Sequence, residues 1–154
     1  HEPSRRQRQM CIRDRLSGGE RQAVSIAVCL GREADLYLLD EPSAHLDANA
    51  RMEAAKAIRR TMEASEKSAF VIDHDVYFID IVSDSLLVFE GEGGVHGKAM
   101  GPYSLRDGMN RFLNDVNVTF RRDHDSKRPR INKAESRKDR EQREVGDFYS
   151  FDSK

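Results

Sequence analysis

The chain has 154 residues, enough for one domain, and a formal net charge of −1 at pH 7. Its two cysteines, Cys11 and Cys29, stand at no metal-ligand spacing, and no run approaches the roughly 18–20 apolar residues of a membrane-spanning helix. The cysteine usage fits a reduced, intracellular protein, and no secretory signal pattern is present. The charge is uneven: residues 16–120 carry 10 basic and 17 acidic side chains, and residues 121–143 carry 10 basic and 5 acidic. A compact acidic body with a basic extension is expected.

Residues 1–15 (HEPSRRQRQMCIRDR) are Arg-rich and nearly without apolar residues, and are set aside as a non-native or disordered leader. Ser17 and Glu20 form the capping-box pattern S-x-x-E, so a helix should open at about Gly18. Ala23, Ile26, Ala27 and Leu30 recur on one face of it, and Gly31 ends it. Capping explains Ser17 and Glu20 but not Gly18 and Gly19 side by side, which disfavour a helix and suggest close approach of another group.

Leu36 to Leu39 is a short, wholly apolar run, the pattern of a strand buried on both faces, and it ends in Asp40 and Glu41. Pro42 breaks the backbone, and Asp47 caps a helix over about Ala48–Ala64 with Met52, Ala55, Ile58 and Met62 inward. Ala69 to Ile72 reads as a second buried strand, parallel to the first, with His74 just beyond its end. Val76 to Val82 reads as a short helix and Leu86 to Phe89 as a third parallel strand. Strands alternating with helices predict an α/β fold with a parallel sheet.

Gly91 to Gly101 contains Gly97-Lys98 but fails the phosphate-loop template, with Glu92 in place of the first glycine and Ala99 in place of the hydroxyl residue. It reads as a surface loop. Ser104 and Asp107 cap a further helix with Leu105, Met109, Phe112, Leu113 and Val116 on one face, and residues 118–122 read as a short strand. The run from Asp123 to Arg143 is polar, basic and weakly periodic: either a solvated, flexible tail or a segment that packs and presents cations.

The chemistry concentrates between Leu16 and Asp47. Helix-start amides suit phosphate, and two carboxylates at the carboxyl end of a buried strand suit a metal ion and an attacking water. That is the equipment of a nucleoside triphosphatase.

LSGGERQ (from Leu16), LYLLDE (from Leu36), SAHLD (Ser43 to Asp47) and His74 in VIDHD resemble, in this order, the signature, Walker B, D-loop and switch histidine of the ATP-binding cassette (ABC) ATPases. GMNRFL, TFRRD, RPRINK and KDREQ extend the resemblance, from Leu16 to about Phe151, to the ABCE family, the RNase L inhibitor or ribosome-recycling ATPases. The resemblance implies a P-loop-NTPase-like ABC half-domain truncated before its Walker A strand. It is the C-terminal part of the second of two nucleotide-binding domains, with 16–102 the cassette fragment and 103–154 a C-terminal helix, strand and basic hinge.

It further implies ATP and magnesium as cofactors, with Asp40 toward the metal and Glu41 and His74 as the catalytic pair. Ser17, Gly18, Gly19, Glu20 and Gln22 would meet the ATP of the opposite cassette; Ser43 and Asp47 would be the cofactor-binding residues of the D-loop, with Asp47 tying the two domains across the closed dimer. 4Fe-4S clusters would lie only in an N-terminal domain outside this sequence. Implied partners are the small ribosomal subunit and its RNA, release and initiation factors, and the first nucleotide-binding domain of the same chain, in the cytoplasm and without a membrane. The alternative is the nucleotide-binding subunit of an ABC transporter; a third option is an interaction fragment without catalysis.

Overall fold

A computed structural model describes residues 15–122 and 129–151, so the leader lies almost wholly outside the described residues. The chain divides into two compact units, the break falling between Ser83 and Asp84.

In the first unit, strands β1 (Leu36–Asp40) and β2 (Ser68–Ile72) pair in parallel, with Leu38 opposite Phe70 and Asp40 opposite Ile72. Helix α1 (Gly18–Leu30) opens on the expected capping box: Ser17 Oγ accepts from Glu20 N at 3.2 Å, and the Glu20 carboxylate accepts from Ser17 N at 2.8 Å. Helix α2 (Ala48–Ser65) is capped by Asp47, which accepts from Ala50 N at 2.8 Å, and it closes on Glu66 in the left-handed conformation. Helix α3 (Val76–Val82) is capped by Asp75, which accepts from Phe78 N at 3.0 Å. Ile26, Tyr37, Leu39, Leu46, Ala55, Ile58 and Phe78 form the core.

The sheet departs from expectation in one respect. β1 is buried on alternate residues only: Tyr37 and Leu39 are covered, whereas Leu38 is 71% exposed and its neighbour Phe70 54%. The helices cover the Tyr37–Leu39 face alone among the described residues, so an apolar run that reads as two-sided burial is covered on one side.

In the second unit the third strand does not extend that parallel sheet. β3 (Ser85–Glu92) pairs antiparallel with β4 (His96–Ser104). The expected surface loop is therefore one arm of a hairpin, turned at Gly93-Gly94 where Val95 N donates to Glu92 O at 3.0 Å. Glycine-rich composition hid a strand whose stability comes from its partner's ladder rather than from its own side chains. Helix α4 (Leu105–Asp115), capped by Ser104, lies so close to β3 that a Cβ on Gly108 would stand 2.7 Å from the Leu86 Cβ.

From Pro129 onward the basic run forms regular structure as well. β5 (Phe120–Arg122) lies between antiparallel β6 (Pro129–Ile131) and parallel β7 (Tyr149–Phe151), with helix α5 (Arg137–Val145) between the last two in sequence; residues 123–128 lie outside the described set. Phe120 and Tyr149 stack with centroids 5.5 Å apart and are fully buried. Around them Asp139 Oδ1 accepts from Thr119 Oγ1 at 2.5 Å, Asp139 Oδ2 accepts from Arg143 Nε at 3.0 Å, and Gln142 Nε2 donates to Phe120 O at 3.1 Å and Asp147 O at 3.0 Å. Apolar periodicity is weak here because α5 buries Asp139 and Gln142.

Candidate active site

All the expected site residues fall in the first unit, at the carboxyl ends of its two parallel strands and the start of α1. β1 ends at Asp40. Glu41 follows with φ 44, a left-handed conformation in which a non-glycine residue is strained. The main chain there is held from two sides. Glu41 N donates to Ile72 O at 2.8 Å, and Gln22 Nε2 donates to both Glu41 O and Pro42 O at 3.2 Å. Strand alternation suggests that Asp40 and Glu41 point to opposite faces, but Glu41 has already left the strand, so that alternation does not govern it.

The Glu41 carboxylate reaches His74: Oε1 lies 3.7 Å from Nδ1, with the side chains 59% and 76% exposed. At that distance the two do not hydrogen-bond to each other. Both face solvent at the mouth of the sheet, positioned by their backbones rather than by packing.

Gly18 and Gly19 approach the loop that follows β1. A Cβ on Gly19 would sit 2.9 Å from His45 O, and one on Gly18 would sit 3.4 Å from the His45 Cβ. The close neighbour that two glycines suggest is thus present within the chain itself, and His45 (φ 62) takes up a left-handed turn to meet them. Ser17 and Glu20 are engaged in their mutual cap, and the Ser17 amide and hydroxyl lower the Glu20 pKa by hydrogen bonding to its charged form. The Glu20 amide is taken up by the cap, whereas those of Gly18 and Gly19 have no intrahelical acceptor and suit an anion.

Ser43 is buried, and its hydroxyl donates to Asp73 Oδ1 at 2.8 Å. Asp47 caps α2 from an exposed position. Three residues that sequence reasoning did not single out hold these loops. Asp73 binds Ser43, Asp75 binds Arg51, and Arg51 Nη2 donates to Leu46 O at 3.0 Å. The signal was present in Val71-Ile72-Asp73-His74-Asp75, whose two flanking carboxylates are overshadowed by the histidine between them.

No group of three or more His, Cys, Asp or Glu side chains capable of holding a metal occurs among the described residues. Magnesium does not need one: it takes one or two carboxylates and fills its remaining positions with water and substrate phosphate. The exposed Asp40 carboxylate, a hard oxygen donor at a strand end, fits that demand. An iron–sulfur cluster needs four thiolates, and the two cysteines here cannot supply them. No helix among the described residues is long and apolar enough to cross a membrane.

Residues 2–44 match the ABC transporter family, a match that begins inside the segment expected to be a leader. ABC transporter E family member 1 of Arabidopsis thaliana is 50% identical over 137 residues, 89% of this chain and 23% of that protein. Translation initiation factor RLI1 of Saccharomyces cerevisiae is 47% identical over 138 residues, 90% of this chain and 23% of that protein. A solved complex of the archaeal ribosomal stalk protein and the archaeal ribosome recycling factor matches with a TM-score of 0.83 and 57% identity, over 89% of this chain and 26% of that one. The chain spans less than a quarter of the length of these curated relatives. Over that span the α/β unit, the ordered motifs and the level of identity agree: the chain belongs to the ABCE family, the RNase L inhibitors.

Proposed function

We propose that this chain is the C-terminal part of the second nucleotide-binding domain of an ABC-type ATPase that couples ATP binding and hydrolysis to splitting ribosomes into subunits. The observation that carries the reading is the convergence of Glu41 and His74, 3.7 Å apart at the ends of two parallel strands. A water between them would meet a carboxylate able to polarise it and an imidazole able to orient it towards a terminal phosphate. Holding Glu41 by its own backbone leaves its carboxylate oxygens free for that water.

Magnesium, when bound, neutralises phosphate charge, and Asp40 is the residue that would hold it. Ser17, Gly18 and Gly19 would turn the amino end of α1 towards the ATP held by the opposite cassette, with Glu20 and Gln22 fixing the helix and the adjoining loop. Ser43 and Asp47 would set the loop that meets that cassette. The chain alone, without a Walker A loop within its 154 residues, would not hydrolyse ATP measurably.

The partners in this reading are the small ribosomal subunit and its RNA, release and initiation factors, and the first nucleotide-binding domain, in the cytoplasm. Support comes from the names of the relatives, a translation initiation factor and a ribosome recycling factor solved with the ribosomal stalk protein.

The test is Glu41→Gln in the full-length protein. Phosphate release in a single turnover should fall by about 10²–10⁴-fold while ATP binding persists, because a polarising base is lost and the phosphate contacts are kept. The stalled protein should stay on small subunits. Loss of nucleotide binding together with hydrolysis would make Glu41 a structural residue and overturn the reading.

A further inference from the structure

We propose that Asp73 is a positioning residue for hydrolysis, the tie that fixes the Glu41 and His74 main chains against each other. The inference rests on the reading of Glu41 and His74 as the hydrolytic pair.

The β1–β2 ladder ends with Asp40 opposite Ile72, and the last backbone bond between the two chains is Glu41 N to Ile72 O. Beyond it the chains run free of the sheet, one through Glu41 to Ser43, the other through Asp73 to His74. Asp73 supplies the next link. Its Oδ2 accepts from Ser43 N at 3.0 Å, and its Oδ1 accepts from Ser43 Oγ at 2.8 Å and from Asp75 N at 2.9 Å. Two of the three bonds cross to the Glu41 loop, and the third folds the Asp73 loop around His74.

Glu41 and His74 have exposed side chains and make no bond to each other, so the separation between them is set by these backbones. Bonds to an ionised carboxylate are roughly twice as strong as neutral ones. Ser43 is 3% exposed, which shields two of them from competing water. Arg51 extends the tie, pairing with Asp75 and donating to Leu46 O, so the segment from Ser43 to Leu46 is anchored at both ends to the loop that carries His74. A movement imposed on that segment is thereby passed to the histidine.

The full-length protein should be compared as wild type, Glu41→Gln, Asp73→Asn and Asp73→Ala, with kcat and KM for ATP and the thermal midpoint measured for each. Misplacing a reacting group by an ångström can cost on the order of 100-fold, so Asp73→Ala should lower kcat by roughly 10–100-fold with KM nearly unchanged. Asp73→Asn, which keeps one acceptor oxygen, should fall between alanine and wild type. A residue that only stabilised the fold would lower the thermal midpoint and leave kcat per folded molecule at the wild-type value; that result overturns the proposal. If the alanine variant does not fold, the asparagine variant decides: reduced kcat supports the tie, and wild-type kcat removes it. Hydrolysis undiminished in Glu41→Gln would instead remove the underlying assignment of the pair.

Discussion

The two units differ in what closes their interiors. In the unit ending at Ser83 the core is apolar, built on Phe78, Ile58 and Tyr37, and the conspicuous ionisable groups, Glu41 and His74, stand in solvent where a ligand can reach them. In the unit beginning at Asp84 the carboxylate of Asp139 is inside, 3% exposed, and with Gln142 it holds three strands and a helix together beside a single aromatic stack. The first unit buries a carboxylate as well, Asp80 at 3% exposed, yet its elements close over apolar side chains. In the second, the strands around Phe120 rely on buried polar groups, because a short, lysine- and arginine-rich segment has few apolar residues to bury.

That contrast can be broken by deletions of matched kind. The largest effect is expected from Phe78→Ala, which empties the centre of the apolar core: about 3–5 kcal/mol of stability should be lost, read by denaturant unfolding together with loss of amide protection in α3. Next is Gln142→Leu, a change that adds apolar surface and by composition alone looks favourable. It leaves Phe120 O and Asp147 O without their donor, so the second unit should lose about 1–3 kcal/mol, seen as faster exchange of the β5 amides. A stabilising Gln142→Leu would show that this interior tolerates ordinary apolar packing and would erase the distinction.

The smallest effect is a slope rather than a step. The Thr119 hydroxyl, and after it the Arg143 guanidinium, hold the Asp139 carboxyl below its ordinary range. A lowered folded-state pKa contributes stability that is present above the ordinary value and is lost as pH falls through the folded one. Thermal midpoints should therefore drop below about pH 4, and Asp139→Asn should flatten that drop in the second unit without abolishing it. The remainder belongs to Glu90 on Arg111 and Glu141 on Arg137, both lowered by those partners. An Asn variant with the full wild-type acid dependence would show that Asp139 does not titrate with unfolding.

What could be read in the sequence follows the same division. Ser17 with Glu20, Asp47 and Ser104 announced three helix starts, since a cap is a local hydrogen bond between residues two or three apart. The strand ending in Asp40 and the placement of His74 beside it were equally plain, each being an apolar run closed by a polar residue. Three things were hidden. The one-sided cover of β1 depends on which helices are present, β4 depends on its hairpin partner, and β6, α5 and β7 depend on bonds between residues as far apart as Phe120 and Phe148. Within the site, the solvent-facing Glu41 and His74 were legible and the residue binding their loops, Asp73, was not, because its partner Ser43 lies 30 positions away.

The parallel pairing of β5 with β7 also has a consequence in time. The described strands and helices of the first unit have all been synthesised by residue 83, and its two described strands are joined through one helix. In the second, Phe120 waits for Tyr149 before its ring is covered and its amide finds the Phe148 carbonyl at 2.7 Å. Contacts of longer sequence separation form later, and domains fold as units in the order they are made. During synthesis, then, the paired strands of the first unit precede a second unit whose central strand stays open on one side until Tyr149 arrives.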